Sequence, residues 1–185
     1  MKTRVIDRKE IYKGKIFDVV EDTIEFEDGS IAKWDLVMHP GACAIVPITN
    51  NNEIVLVRQY RNAEDGEVLE IPAGKLEKGE DPYACAVREL EEETGYRSEV
   101  LEKVCTTYSA IGFSDEKLHI YKATNLVKGK QNLDSDEYIK IEKYPIDRAV
   151  EMSFRQFRYI YFINQRCIKD CLLKEQPYPK HYAVV

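Results

Sequence analysis

Three glutamates, Glu89, Glu92 and Glu93, lie close together in the stretch Arg88-Glu89-Leu90-Glu91-Glu92-Glu93-Thr94-Gly95. At about 100° per helical residue they fall within roughly 100° of one another around a helix axis. Like charges at this spacing weaken an isolated helix by a few tenths of a kcal/mol per pair, a cost that a cation removes. Hard cations such as Mg²⁺ take oxygen ligands and recruit one or two carboxylates together with substrate phosphates. The trio therefore reads as a metal cradle able to bridge a diphosphate. A solvated acidic helix face is the plainer reading of the same spacing. On either reading Tyr83, Val87, Leu90 and Thr94 are expected to pack on a sheet, with the carboxylates projecting from the other side.

The loop that leads into this helix carries a longer pattern. Gly74, Glu80, Arg88, Glu89, Leu90, Glu92, Glu93 and Gly95 form the gapless string Gly-x5-Glu-x7-Arg-Glu-Leu-x-Glu-Glu-x-Gly. It resembles the signature of the Nudix hydrolases, with Tyr96 in place of the usual closing aliphatic residue. The flanking segments resemble the ADP-ribose pyrophosphatase branch. They are His39-Pro40-Gly41-Ala42, Val57-Arg58-Gln59-Tyr60-Arg61, Leu69-Glu70-Ile71-Pro72-Ala73-Gly74 and Gly112-Phe113-Ser114-Asp115-Glu116, and the likeness spans roughly residues 39 to 145.

That resemblance implies metal-assisted hydrolysis of a nucleoside diphosphate sugar, with ADP-ribose going to AMP and ribose 5-phosphate. It implies Mg²⁺ or Mn²⁺ held by Glu89, Glu93 and the Ala73 carbonyl, with Glu92 beside them and Arg88 orienting the carboxylates. Glu80 is expected to steady the loop or to bind metal through water. The base that activates water stands either on this helix or on a distant acidic loop. Here that loop is Asn132-Leu133-Asp134-Ser135-Asp136-Glu137, with Glu137 as the candidate. For substrate, Arg61 resembles an arginine that contacts the diphosphate, and Arg58 is a second candidate. Glu70 is expected to accept hydrogen bonds from the nucleotide, and Glu116 to stand near the terminal ribose and the metals. Trp34, the single tryptophan, either packs locally or stacks adenine after exchange between subunits; Tyr12, Phe17 and Phe26 compete for that role. Ala110-Ile111 replaces a proline usual before the Gly112 position, which opens specificity toward other ADP- or GDP-sugars. Other nucleotides remain as alternatives (GDP-mannose, an oxidised dNTP or a dinucleoside polyphosphate), as does a non-catalytic ADP-ribose-sensing module.

The elements that position these residues are legible in outline. Asp81 can cap a helix, Pro82 suits its first turn, and Gly95 suits its stop, so a helix is expected to run from Pro82 to about Thr94. Asp18 to Phe26 alternates as a strand, and Glu27-Asp28-Gly29-Ser30 signals a hairpin turn. Ala42 to Ile48 is nearly all apolar, as in a strand covered on both faces. Glu53 to Tyr60 is expected to pair with it as a hairpin across Asn50-Asn51-Asn52. Further strands are expected near Val100 to Tyr108, Lys117 to Ala123 and Tyr138 to Tyr144, and helices over Ile146 to Met152 and roughly Phe154 to Leu173. The fold class is α/β (α+β). The resemblance makes it a Nudix-type α/β/α sandwich with a mixed β-sheet, residues 39–185, preceded by an N-terminal β-rich extension, residues 1–38. A sheet that small buries little on its own, and a homodimer is expected to cover it.

Composition agrees with these readings. The 185 residues carry a formal net charge of -6, which argues against a nucleic-acid backbone as the main partner. No apolar run approaches the roughly 20 residues of a membrane span, and the first residues lack an apolar signal core. The five cysteines (Cys43, Cys85, Cys105, Cys167 and Cys171) are odd in number and contain no CxxC pair. They are expected to be free thiols of a cytoplasmic protein.

Overall fold

A computed structural model describes residues 2–133, 135, 137–155 and 182–183. Three antiparallel strands open the chain: β1 (Thr3–Lys13), β2 (Asp18–Phe26) and β3 (Ile31–Met38). The β2–β3 turn is tight, with Gly29 at φ 80° and Phe26 and Ser30 closing it at 2.9 Å. Val20 and Ile24 are buried on this sheet, whereas every residue of β1 is exposed.

Strand β4 (Ala42–Pro47) forms the centre of the remaining fold. It pairs in parallel with β9 (Lys117–Lys128) and antiparallel with β7 (Ala73–Lys75). β9 pairs in turn with β8 (Tyr96–Tyr108), against whose far edge β11 (Tyr182–Ala183) lies parallel. This five-stranded sheet is mixed, as expected. A second sheet holds β5 (Glu53–Arg61) between β6 (Gly66–Glu70) and β10 (Lys140–Pro145).

The expected β4–β5 hairpin does not form. A single bridge, Ile48 to Ile54, joins the two segments before they part into different sheets. The reason is burial: β4 and the Ile54–Val57 half of β5 are apolar on both faces, so each is stabilised more by becoming the middle of its own sheet.

Helix α1 (Pro82–Thr94) packs on β4, β7 and β8, and α2 (Ile146–Arg155) packs on β10 and β5. Alternation along β4 divides the core. Ala44 and Val46 meet Ile54, Leu56, Leu69 and Ala149 between the sheets, and Cys43 and Ile45 meet Leu90, Ala86 and Cys85 under α1. The layers are therefore helix, sheet, sheet and helix, which is the α/β/α sandwich. α2 continues through residue 153, where the sequence suggested a break between two helices. The rest of the expected Phe154–Leu173 helix, with Cys167 and Cys171, lies outside the described residues. Among the described residues no helix is long and apolar enough to cross a membrane.

Candidate active site

Helix α1 starts and stops where its end residues dictate. The Asp81 carboxylate accepts from the backbone N–H groups of Tyr83 (2.9 Å) and Ala84 (3.3 Å). Gly95, at φ 67°, adopts the left-handed cap and donates its N–H to the Glu91 carbonyl at 2.8 Å.

The face that α1 buries differs from the expected one. Tyr83 and Val87 are 50% and 44% exposed, and the buried set is Cys85, Ala86, Glu89, Leu90, Glu93 and Thr94. Small side chains at 85 and 86 let the helix approach β4 and β7 closely, and Glu89 and Glu93 go under with them. Glu89 retains 8% exposure and Glu93 3%. The three carboxylates thus do not share an exposed face: two are buried, and Glu92 stands at the edge.

Each buried carboxylate has a partner. Arg88 donates through Nη1 to Glu89 (2.7 Å) and Glu92 (2.9 Å), and through Nε and Nη2 to Glu80 (2.9 and 3.0 Å). Its Nη2 also reaches the Lys75 carbonyl at 3.3 Å. Arg88 thus joins the carboxylates of Glu80, Glu89 and Glu92. Glu93 accepts from the Ala73 N–H at 2.9 Å, so Ala73, Glu89 and Glu93 are brought together. Glycine at 74 leaves room for the Glu89 carboxylate, which a side chain here would displace. A Cβ there would lie 1.9 Å from the Glu89 carboxylate carbon.

Electrostatics follow burial. Desolvation pushes the Glu93 carboxyl well above the usual range, opposed by the Ala73 N–H and reinforced by Glu89 and Glu137. Burial also raises Glu89, opposed by Arg88 and reinforced by Glu92 and Glu137. Glu137, half-buried, is therefore within electrostatic reach of both. Arg88 holds Glu80 down at about 2. Among the described residues no three His, Cys, Asp or Glu side chains converge on one metal-sized point, because Glu89 and Glu92 face Arg88 and Glu93 faces Ala73.

Beside this cluster, the alternation of β5 sends Gln59 and Arg61 to one face. There the Glu70 carboxylate, 1% exposed, accepts from Arg61 Nη2 at 2.7 Å, from Arg61 Nε at 3.1 Å and from Gln59 Nε2 at 3.0 Å. Arg61 also tempers the Glu93 carboxyl, which sets it near the acidic group. Glu70 thus holds Arg61 in place. Arg58 points to the opposite face and ion-pairs with Glu142, which also accepts from Tyr144. The structure does not bring Arg58 to Arg61.

Glu116 follows the 109–115 loop. Its carboxylate accepts from Ser109 Oγ and stands 3.5 Å from His39 Nδ1. Trp34 lies on the N-terminal sheet, 51% exposed, with the ring of Phe26 edge-on at 6.1 Å. Three positions beyond the expected set act on site residues. Gln59 holds Glu70, and His39 stands beside Glu116. Gln131 donates to the Glu93 carbonyl at 2.7 Å and so ties the acidic loop to α1. Strand alternation would have revealed Gln59; no local signal marks the other two.

The model of the NUDIX domain matches residues 38–163. This chain belongs to the NUDIX family. A methanol dehydrogenase activator of Bacillus methanolicus is 43% identical over 151 residues, 80% of this chain and 81% of that protein. An ADP-ribose pyrophosphatase of Bacillus subtilis (strain 168) is 37% identical over 154 residues, 82% of this chain and 83% of that one. Among solved structures, an ADP compounds hydrolase superposes with a TM-score of 0.78 over 94% of this chain and 93% of its own, at 22% identity. That last likeness bears on the fold, and it matches the layered Nudix architecture described above.

Proposed function

We propose that this Nudix protein hydrolyses the diphosphate bond of ADP-ribose, releasing AMP and ribose 5-phosphate with a divalent cation, Mg²⁺ or Mn²⁺. The observation that carries the reading is the burial of Glu89 and Glu93 together beside Ala73 and Gly74, with Arg61 at their edge. The similarity to an ADP-ribose pyrophosphatase supports the substrate.

The donor set suits a hard cation. Two buried carboxylates, each raised by desolvation and by acidic neighbours, form a site that an oxygen-seeking divalent ion stabilises. Glu89, Glu93 and the Ala73 carbonyl would hold it, with Glu92 at hand. When bound, such an ion neutralises charge on the diphosphate and lowers the pKa of the attacking water. The chain's own groups do the rest. Arg61, held by Glu70, offers its guanidinium to a diphosphate oxygen. Arg88 keeps Glu89 and Glu92 aligned. Glu137 takes the proton from the attacking water. Glu116 binds the terminal ribose.

The quaternary and cellular parts of the proposal rest on the N-terminal extension and on the thiols. Ile11, Ile16, Ile31 and Trp34 are each more than half exposed on or beside the first sheet, a surface that a second copy of the chain covers. In that homodimer Trp34 stacks on the adenine bound by the partner. A cytoplasmic location fits the buried thiols of Cys43 and Cys85, which form no disulfide. Light scattering after gel filtration checks the dimer, and a monomer mass rules it out.

The test is a panel of ADP-ribose, ADP-glucose, GDP-mannose, NADH and an oxidised dGTP with Mg²⁺ or Mn²⁺, with Glu93→Gln as control. AMP release from ADP-ribose, lost in the variant, is the expected result. Failure to release AMP from any ADP-sugar overturns the proposal.

A further inference from the structure

The loop that delivers Glu116 is fastened to the N-terminal extension. Val37 of β3 donates its N–H to the Phe113 carbonyl at 2.8 Å and accepts at its own carbonyl from the Asp115 N–H at 3.1 Å. These bonds make an isolated parallel bridge between Val37 and Ser114. The Asp115 side chain adds a third tie, accepting from the His39 N–H at 2.8 Å. Proline at 40 keeps His39 extended, so this N–H has a set direction. Ser114 is buried, and its Oγ accepts from the Glu116 N–H at 3.2 Å. Arg8 of β1 also feels the charge of Asp115.

The loop has bonds of its own, among them the Ser109 N–H donated to the Glu116 carbonyl at 3.3 Å. Phe113 and Ser114 both donate to the Ala110 carbonyl, at 3.0 and 2.9 Å, and Ala110-Ile111 supplies no proline to stiffen the approach. Within the loop the Glu116 backbone is held by Ser109 and Ser114; the Val37 bonds and the Asp115 tie to His39 add the anchors from outside it.

We propose that Asp115 is a positioning residue that clips the Glu116 loop to strand β3, so that the N-terminal extension sets where a substrate-binding glutamate stands. This rests on the reading of Glu116 as a contact to the sugar half of the substrate. Asp115 acts through Glu116 and touches no substrate itself. Loss of the clip lets the Glu116 carboxylate wander, which weakens binding and leaves the carboxylates of α1 in place.

A double-mutant cycle on the metal-loaded enzyme with ADP-ribose tests the idea. Asp115→Ala raises KM roughly ten-fold with kcat within about two-fold of wild type. Asp115→Asn keeps an acceptor for the His39 N–H and restores a KM near wild type. Placed on Glu116→Gln, which by itself raises KM, Asp115→Ala adds nothing further. Equal increments in both backgrounds, an unchanged KM for Asp115→Ala, or an Asn variant as impaired as the Ala variant each overturn the proposal. If Asp115→Ala fails to fold, Asp115→Glu carries the same expectation, because it moves the carboxylate by one methylene and keeps the charge. A Glu116→Gln enzyme with unaltered KM removes Glu116 as a substrate contact, and the proposal falls with that reading. A raised KM in Glu116→Gln with none in Asp115→Ala sinks the clip alone.

Discussion

The Glu89 carboxylate fills the space that a side chain at Gly74 would occupy: a Cβ built there lies 1.9 Å from both its Cδ and Oε1, and 2.3 Å from Oε2. A loop residue without a side chain and a helix residue with a buried one are thus two halves of a single feature. Gly74→Ala should displace Glu89 and lower kcat/KM roughly 100-fold, the scale of a 1 Å misplacement at a reacting centre. Steady-state kinetics with ADP-ribose decide this, and a variant within three-fold of wild type would mean that Glu89 is free to move.

Arg88 joins Glu80, Glu89 and Glu92 through a forked guanidinium that an ammonium cannot imitate. Arg88→Lys retains the charge but cannot hold all three groups. Stability should fall by about 1–3 kcal/mol, which is about 2–12 °C in Tm for a chain of this length. Turnover should fall at least about ten-fold. Calorimetry and kinetics that both match wild type would refute the fork as an organiser.

Glu80 titrates at about 2, well below its ordinary 4.5, chiefly because Arg88 donates to it. A depressed native pKa contributes stability above the unfolded value, and that stability is lost as pH falls through the native one. Wild type should therefore exceed Glu80→Gln by about 1–3 kcal/mol at pH 7. The gap should close between pH 4.5 and pH 2. Urea midpoints measured with a chelator present provide the comparison, and a gap that persists at pH 2 would contradict this linkage.

Glu137 is the proposed base and acts electrostatically on both buried glutamates. Glu137→Gln should reduce kcat by roughly 10²–10⁴-fold with KM little altered. The acid limb of the pH profile should flatten as well. An unchanged kcat would move the base to the α1 carboxylates.

Much of this organisation was local and so readable along the chain. Asp81, Pro82 and Gly95 specify the ends of α1, because caps act within one turn of the backbone they satisfy. The alternation of Asp18 to Phe26 and the turn at Gly29 specify the β2–β3 hairpin for the same reason. The ordered Gly74 to Gly95 string carries family membership without any coordinates.

Tertiary structure decided what local rules leave open. Glu89 and Glu93 are buried while Tyr83 and Val87 are exposed, because residues spaced three and four apart occur on both sides of this helix. The side chains at Cys85 and Ala86 settle which side can approach the sheet. β4 and β5 part into separate sheets because β4 and the Ile54–Val57 half of β5 are apolar on both faces and find fuller burial in the middle of their own sheets. The meeting of Asp115 with His39, 76 residues apart, follows from the packing of β3 beside a distant loop. The sequence by itself determines which groups are available for chemistry; only the folded arrangement of strands and helix determines which of them are desolvated, paired and close enough to act together.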